Sequence, residues 1–393
     1  MCPIPSFLLS DVLADEEAAP PNTRRAFLAQ ATALGATLGG VALVGCNTPS
    51  PQGTSSNGAA SNGAAANGAD SGHQPAGGGA PGATVANPDS KLDTMQAHGS
   101  HATTAGTAGA AAAPPYRRYD PTLPPLASGR TLQLHWEARE VPLHIRPDTV
   151  IHAWTFEGDV PGPIVHCRVG DTVEFTLTNR GTLPHSMDFH AAQIDPKTAF
   201  RSVMPGESVT YTFRPRYAGA FLYHCGTSPV LMHLGSGMYG AIIVSPAEPL
   251  PAAKEFVLVQ NEFYLNPAEN GVQSSDYNKM LNRNPDIVAF NGRPGQYQTE
   301  PIRVKRGDRV RFYVVSAGPS HPCNFHIVGE QFDSVYLGAP PGSAIHGVQT
   351  FGVAPGGGMI FELVADVAGE FPFVNHGFGH GQKGAIGFLV VEV

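Results

Sequence analysis

The residues with the clearest chemistry in this 393-residue chain lie in the segment YHCGTSPVLMHLGSGM, which ends at Met238. Within it, Cys225 is followed by His233 and then by Met238, and His185 lies upstream in the segment HSMDFH. A thiolate, two imidazoles and a weak thioether are the ligands of a blue-copper electron-transfer site. A lone Met or Cys usually packs in a core. Four such residues in this combination favour a metal site over ordinary packing.

The neighbours of these residues predict a second site. Successive side chains of a β-strand lie on opposite faces, so residues i and i+2 share a face. The adjacent His224 and Cys225 therefore point in opposite directions, whereas Asp188 and His190 share one face. The simplest division places His185 with Cys225 inward, and Asp188, His190 and His224 outward. Two imidazoles do not complete a closed site, so the outward group predicts a second metal that takes a further ligand from elsewhere.

A duplicated, mostly β architecture positions these residues. Short alternating apolar runs between Gly and Pro turns predict the strands of Greek-key β-sandwich or barrel domains. Five segments of the first copy return in the same order in the second: residues 167–177 match 304–314, 185–190 match 321–326, 203–213 match 353–363, 218–225 match 368–376, and 240–244 match 384–390. We therefore expect two all-β domains of roughly 130 residues each, a common domain size. Their predicted bounds are residues 117–249 and 255–393.

The second copy keeps only part of this chemistry. His190 corresponds to His326, and His224 corresponds to His376. Gly377 stands where the first copy has its cysteine, so the second domain lacks the thiolate of a blue-copper site. It does retain both outward histidines. Where a face of one domain meets a face of the other, the four histidines and the acidic residue of HSMDFH would surround a catalytic metal with an open coordination position.

The N-terminal part has the pattern of an export signal. Paired arginines occur in TRRAFL at residues 23–28, an apolar run follows at 31–44, and LVGC ends at Cys46. We interpret residues 1–46 as a twin-arginine-like lipoprotein signal peptide with Cys46 as its lipidated residue. The apolar run is shorter than the ~20 residues of a membrane span. Residues 47–116 are rich in Ala, Gly and Ser, which predicts a disordered tether.

These features predict an exported protein, periplasmic or on the outer cell surface, that contacts the membrane only through its N-terminal lipid. The formal net charge of −8 disfavours nucleic acid as a partner, since nucleic-acid binding needs a basic face.

The motifs PHSMDFHAA, YHCGTSPVLMHLGSGMYGAIIV, NFHIVGEQFDSVY and VNHGFGHGQKGAIG together resemble the two-domain copper-containing nitrite reductases. The resemblance covers roughly residues 117–393. It implies two tandem cupredoxin-like domains and two copper ions per chain, one of type 1 and one of type 2. Carried over residue by residue, it assigns the type 1 copper to His185, Cys225, His233 and Met238.

The same resemblance implies a homotrimer with a type 2 copper shared between subunits, whose ligands are His190 and His224 of one subunit and His376 of its neighbour. It makes Asp188 and His326 the acid/base pair over the type 2 copper, and it places Val328 in the substrate pocket. Neither residue of the acid/base pair is a metal ligand in this assignment.

The reaction implied by the resemblance is the dissimilatory-type reduction of nitrite to nitric oxide and water by one electron and two protons. A small electron-donor protein, a cupredoxin or a c-type cytochrome, would reduce the type 1 copper. The electron would then pass through the covalent Cys225–His224 pair to the type 2 copper, while Asp188 and His326 supply protons.

Three alternatives remain open from the residues. A laccase-like multicopper oxidase needs His-x-His pairs and a His-Cys-His segment, but here Asp188, Asn324 and Gly226 stand at positions that would have to be histidine. A non-catalytic copper electron-transfer lipoprotein would leave the outward histidines without a role. A cell-surface β-sandwich with incidental histidines would stay colourless after copper loading.

Overall fold

The fold is described from a computed structural model that defines residues 112–338 and 344–393. The predicted signal peptide, the lipidated Cys46 and residues 47–111 of the predicted tether lie outside these ranges. Within them, no helix has both the length and the apolar character needed to cross a membrane. Strands dominate this part of the chain, which confirms the predicted all-β class.

The first half of the described chain contributes eight strands and two short helices. The strands are β1 (Thr131–Arg146), β2 (Thr149–Phe156), β3 (Val165–Arg168), β4 (Thr172–Asn179), β5 (Asp188–Phe189), β6 (Ser208–Phe213), β7 (Gly219–His224) and β8 (Tyr239–Ser245). The helices are α1 (Pro196–Ala199) and α2 (Val230–Gly235).

The second half contributes eleven strands and three short helices. The strands are β9 (Lys254–Phe263), β10 (Val272–Gln273), β11 (Ile287–Phe290), β12 (Ile302–Lys305), β13 (Arg309–Gly318), β14 (Cys323–Ile327), β15 (Ser334–Tyr336), β16 (Thr350–Val353), β17 (Gly358–Val364), β18 (Gly369–Asn375) and β19 (Ile386–Glu392). The helices are α3 (Tyr277–Leu281), α4 (Gln296–Thr299) and α5 (Phe378–Gln382).

Each half forms a sandwich of two sheets, and the strand order is closely similar in both. The sheets of the first sandwich have the orders β10-β2-β1-β4-β6 and β3-β8-β7-β5, in which the edge strand β10 comes from the second half of the chain. The second half has the orders β11-β9-β13-β17-β15 and β12-β19-β18-β14-β16. The parallel pair β1–β4 matches the parallel pair β9–β13, and β3–β8 matches β12–β19. Parallel neighbours need long connections between sheets, as in Greek-key sandwiches.

Side-chain alternation explains how the strands build three hydrophobic clusters. In β4 the buried side chains of Val173, Phe175 and Leu177 alternate with partly exposed ones, and they pack in the core of the first sandwich. In β9 both faces are buried: Phe256 packs in the core of the second sandwich, whereas Val257 packs in a cluster between the two. A strand that is buried on both faces loses the polar alternation of a half-exposed strand.

Polar contacts also join the two sandwiches. Strand β10 belongs to the second half of the chain but pairs in parallel with β2, with Val272 opposite Val150. The guanidinium of the buried Arg293 donates to Val160 O at 2.7 Å and to Asp159 Oδ1 at 2.6 Å. Strand β10 contains two residues, which is too short a run for sequence alternation to reveal.

Candidate metal centres

The first cluster lies at one end of the first sandwich, where loops bring four buried side chains together. Cys225 directly follows β7, His233 lies in α2, and Met238 directly precedes β8. His185 comes from the segment before β5, where its backbone bridges to Val203. The side chains of the two histidines, the cysteine and the methionine are all buried. Three of the four are therefore positioned by the single β7–α2–β8 connection.

The ligand atoms of this cluster converge. One ligand atom each from His185, Cys225 and His233 lies within 4.8 Å of the other two. The Ser186 N–H donates to Cys225 Sγ at 3.3 Å, and the Cys225 N–H donates to Met238 O at 3.1 Å. The first hydrogen bond supports a thiolate on Cys225, and the second ties the cysteine to the segment that carries the methionine.

The electrostatics of the cluster suit a soft metal ion. Burial alone would raise the pKa of Cys225, but the neighbouring His185 imidazole and the Ser186 and Thr227 N–H groups lower it below its usual value. Burial lowers the pKa of His233, which favours the neutral imidazole, and its Nδ1 and Nε2 atoms lie 3.1 and 3.2 Å from the carbonyl oxygens of Pro229 and Pro184. His185 Nδ1 is buried and has no hydrogen-bond partner among the described residues. A thiolate and two imidazoles, one of which has an unpartnered ring nitrogen, fit a type 1 copper ion.

The second cluster lies on the opposite face of β7 and contains Asp188, His190 and His224, whose ligand atoms are also within 4.8 Å of one another. Asp188 pairs directly with His224 across β5 and β7. The two histidine Nε2 atoms are 3.0 Å apart. His224 Nε2 is 4.0 Å from Asp188 Oδ2.

Backbone carbonyls orient both histidines of the second cluster. His190 Nδ1 is 3.0 Å from Gly356 O, and His224 Nδ1 is 2.9 Å from Cys225 O. When each Nδ1–H donates to its carbonyl, both Nε2 lone pairs face each other, an arrangement that a cation between them stabilises. Burial, the largest effect, and the neighbouring His190 lower the pKa of His224, which also favours a neutral ligand. The cluster therefore fits a borderline metal ion such as copper.

The predicted division of side chains into two groups is confirmed, although the strands are less regular than the prediction assumed. Strand β7 ends at His224, so His224 and Cys225 do point to opposite sides. Strand β5 contains only Asp188 and Phe189, and His185 forms an isolated bridge outside it. The alternation from His185 to Asp188 therefore passes through irregular backbone, and tertiary packing brings His185 to the inner group.

The predicted residues of the second sandwich lie together but apart from the second cluster within one chain. The rings of His326 and His376 are 5.3 Å apart between centroids, and the ring of Phe378 is 4.7 Å from that of His376. His326 Nδ1 is 2.6 Å from Gln349 O. Among the described residues, neither histidine joins the group of ligand atoms around His190. Val328 is 43% exposed.

The structure shows the contacts of several residues for which the sequence predicted no role. His321 Nδ1 is 3.1 Å from Glu262 Oε1, and its ring lies 4.7 Å from that of His380. Cys167 and Cys323 are free thiols in the cores of the first and second sandwich, and burial raises the pKa of Cys167 to about 12. One further residue, Glu140, contacts a predicted ligand, with its Oε1 atom 2.7 Å from His185 Nε2. Its counterpart Glu262 becomes evident only from the strand registers, because neither glutamate lies in one of the five repeated segments.

Two Greek-key sandwiches with a cysteine-histidine cluster in the first define a tandem cupredoxin protein of the multicopper oxidase class. The sequence agrees with this class, because it matches the multicopper oxidase family over residues 139–249 and again over residues 254–382.

Individual relatives indicate which family within the multicopper oxidase class the chain resembles. A solved copper nitrite reductase from Nitrosomonas europaea is 36% identical, with a TM-score of 0.62, and the match covers 66% of this chain and 94% of that one. A solved Cu-containing nitrite reductase from Thermus scotoductus is 29% identical, with a TM-score of 0.60, and covers 66% of this chain and 62% of that one. The copper-containing nitrite reductase of Neisseria meningitidis is 40% identical over 248 residues. The chain belongs to the copper-containing nitrite reductase family.

The match to the Neisseria protein covers 61% of this chain and 64% of that protein. The matched part is therefore just under two thirds of the relative's length.

Proposed function

We propose that this protein reduces nitrite to nitric oxide, in the balanced reaction of one nitrite, one electron and two protons to one nitric oxide and one water. The observation that carries the proposal is the adjacency of Cys225 and His224. These two residues belong to different clusters and share one peptide bond. A site that receives an electron and a site that binds substrate are thereby joined by the shortest covalent connection that two side chains can have.

The proposed holoprotein has two copper ions per chain. His185, Cys225, His233 and Met238 would hold the type 1 ion. His190, His224 and a third imidazole would hold the type 2 ion. When bound, copper supplies one-electron chemistry at the first site and a coordination position for nitrite at the second. The chain's own contribution is to orient the imidazoles, to exclude water from the first site and to hold protons at the second.

We assign the third imidazole of the type 2 site to His376 of a neighbouring subunit in a homotrimer. Two features support this assignment. His190 and His224 alone leave the second cluster short of a closed metal site. His376 is the counterpart of His224 in the repeat, yet it lies outside that cluster within its own chain. A contact between the first sandwich of one subunit and the second sandwich of the next would supply the missing ligand.

Asp188 and His326 are the proposed proton donors. The Asp188 side chain is 32% exposed, so it can exchange protons with solvent, and its Oδ2 lies 4.0 Å from His224 Nε2. His326 directs Nδ1 toward Gln349 O, which leaves Nε2 available to donate or accept a proton. If His326 comes from the same neighbouring subunit as His376, the two groups flank the bound nitrite. Val328, two residues further along, would line that pocket.

The protein also needs a source of electrons and a cellular location that this source can reach. A small electron-donor protein, a cupredoxin or a c-type cytochrome, would deliver the electron to the first cluster. Export to the periplasm or cell surface and a lipid anchor on Cys46 remain proposals from the sequence, because those residues lie outside the described part of the chain.

The test is an anaerobic assay of the copper-loaded full chain with a chemical reductant and nitrite, monitored for nitric oxide, with copper counted per chain. We expect nitric oxide formation, intense visible absorption and two coppers per chain. Oxygen consumption without nitric oxide formation, with four coppers per chain, would favour the laccase-like alternative. Intense visible absorption without consumption of nitrite or oxygen would favour the non-catalytic electron-transfer alternative.

A further inference from the structure

Glu140 is a carboxylate on β1 whose position against His185 gives it a role in the first cluster. Its side chain is 6% exposed, and its Oε1 atom is 2.7 Å from His185 Nε2. A carboxylate in this place can accept the His185 Nε2–H bond. Carboxylates on the far side of a metal-ligating histidine fix the ring tautomer and raise the basicity of the ligand.

The surrounding loop is built to hold this carboxylate. Glu140 Oε2 accepts the Thr182 N–H at 2.8 Å and the Thr182 hydroxyl at 3.2 Å, and Oε1 lies 3.4 Å from the Leu183 N atom. Gly181 packs against it, since a Cβ there would lie only 2.8 Å from Glu140 Oε2. The donors of Thr182 and Leu183, together with His185 Nε2, surround both oxygens of Glu140, and hydrogen bonds of this kind favour the charged carboxylate.

The contact also determines which nitrogen of His185 remains available. A neutral imidazole carries one N–H, and Glu140 accepts it at Nε2. Nδ1 is then a free lone pair, and it is buried without a hydrogen-bond partner among the described residues. With Nε2 engaged, Nδ1 is the atom that His185 has left to offer to the cluster with Cys225. The Glu140 contact thus selects the ligating nitrogen.

The second sandwich repeats the carboxylate but not the ligand geometry. Leu132 pairs with Val173 as Lys254 pairs with Val310, and Glu140 and Glu262 each lie eight residues further along their strands. Glu262 contacts His321, the counterpart of His185, through Nδ1 rather than Nε2. The second sandwich also has no cysteine at the matching place. Glu262 therefore provides a matched control residue with the same strand position and no metal role.

We propose that Glu140 is a positioning residue that holds His185 in the Nε2–H tautomer and lowers the reduction potential of the first metal site. A negative charge one imidazole away from the bound copper stabilises the oxidised ion relative to the reduced ion, and the buried setting limits solvent screening. The inference rests on the proposed copper assignment of the first cluster.

The test is a redox titration of the copper-loaded full chain, followed by its visible absorption, for wild type, Glu140→Gln and Glu262→Gln. Glutamine keeps the shape of the side chain and an oxygen acceptor but removes the charge. We expect Glu140→Gln to retain absorption and to lower the oxidised-to-reduced ratio at a fixed solution potential about tenfold, which corresponds to a rise of about 59 mV for one electron. Glu262→Gln should leave the ratio unchanged. Glu140→Asp, which keeps the charge, should shift the ratio less than Glu140→Gln.

Two results would overturn the inference while leaving the proposed function intact. One is an oxidised-to-reduced ratio in Glu140→Gln within twofold of the wild-type ratio, and the other is an equal shift of the ratio in Glu262→Gln. If Glu140→Gln does not load copper but Glu140→Asp does, the charge itself is needed to hold His185 as a ligand, whereas a failure of both variants to load copper overturns the role of the charge. Wild-type protein that gains no visible absorption with copper would contradict the proposed function itself. Wild-type protein that absorbs but forms no nitric oxide would refute nitrite reduction and leave the Glu140 test valid.

Discussion

Replacing Gly235 with alanine tests whether the second sandwich holds the ligand-bearing helix α2 in place. Gly235 ends α2, two residues after His233, and it packs against Met280 of α3. Ser236, the next residue, also donates to Ser275 Oγ at 2.9 Å across the same boundary. Because α2 also contains the proposed copper ligand His233, a displacement of Gly235 should shift His233 within the first cluster.

The structure sets the size of the effect. A Cβ at Gly235 would lie 2.7 Å from Met280 Sδ and nearer still to Met280 Cε, whereas ordinary contacts are 3.4–4 Å. Met280 is 1% exposed, so its end must move by about 1 Å within a packed region, and overpacking of this kind costs about 1–3 kcal/mol. The gain in helix propensity from Gly to Ala offsets up to about 1 kcal/mol. We expect a net loss of about 1 kcal/mol in the free energy of unfolding.

The assay is denaturant unfolding of copper-free protein, so that metal binding does not contribute to stability. Gly379→Ala in α5 is the matched control, because a Cβ there meets no atom within 4 Å. It should be neutral or slightly stabilising. In a Met280→Ala background, which alone costs about 2–5 kcal/mol, Gly235→Ala should lose its penalty. An equal effect of Gly235→Ala in both backgrounds, within about 0.5 kcal/mol, would refute the reasoning.

Three substitutions test the proposed metal and proton roles. Cys225→Ala should abolish the intense visible absorption and donor-driven activity while type 2 copper stays bound; loss of both coppers would show that the sites are not separable. Asp188→Asn should keep both coppers and lower turnover by about 10²–10⁴-fold, the usual contribution of a general acid, and an unchanged steady-state rate would remove Asp188 from the proton path. His376→Ala should deplete type 2 copper, and a metal count that stays at two per chain would contradict the shared site.

The sequence by itself determined the types of the proposed ligands, the internal repeat and the division of these side chains between two faces. Alternation is a property of the extended backbone, so the opposite directions of His224 and Cys225 follow from their adjacency. The repeat likewise showed that Gly377 replaces the cysteine in the second copy. These conclusions need only local geometry or comparison of one half of the chain with the other.

Only the tertiary structure decided the contacts between distant segments. Glu140 meets His185 across 45 residues, and the Gly356 carbonyl orients His190 across 166. Met280 lies against Gly235 because α3 of the second sandwich packs on α2 of the first. Such contacts depend on strand register and on how the sheets and helices pack, and neither leaves a periodic pattern in the sequence. The proposed ligands could therefore be named from the sequence, whereas the groups that orient them could not.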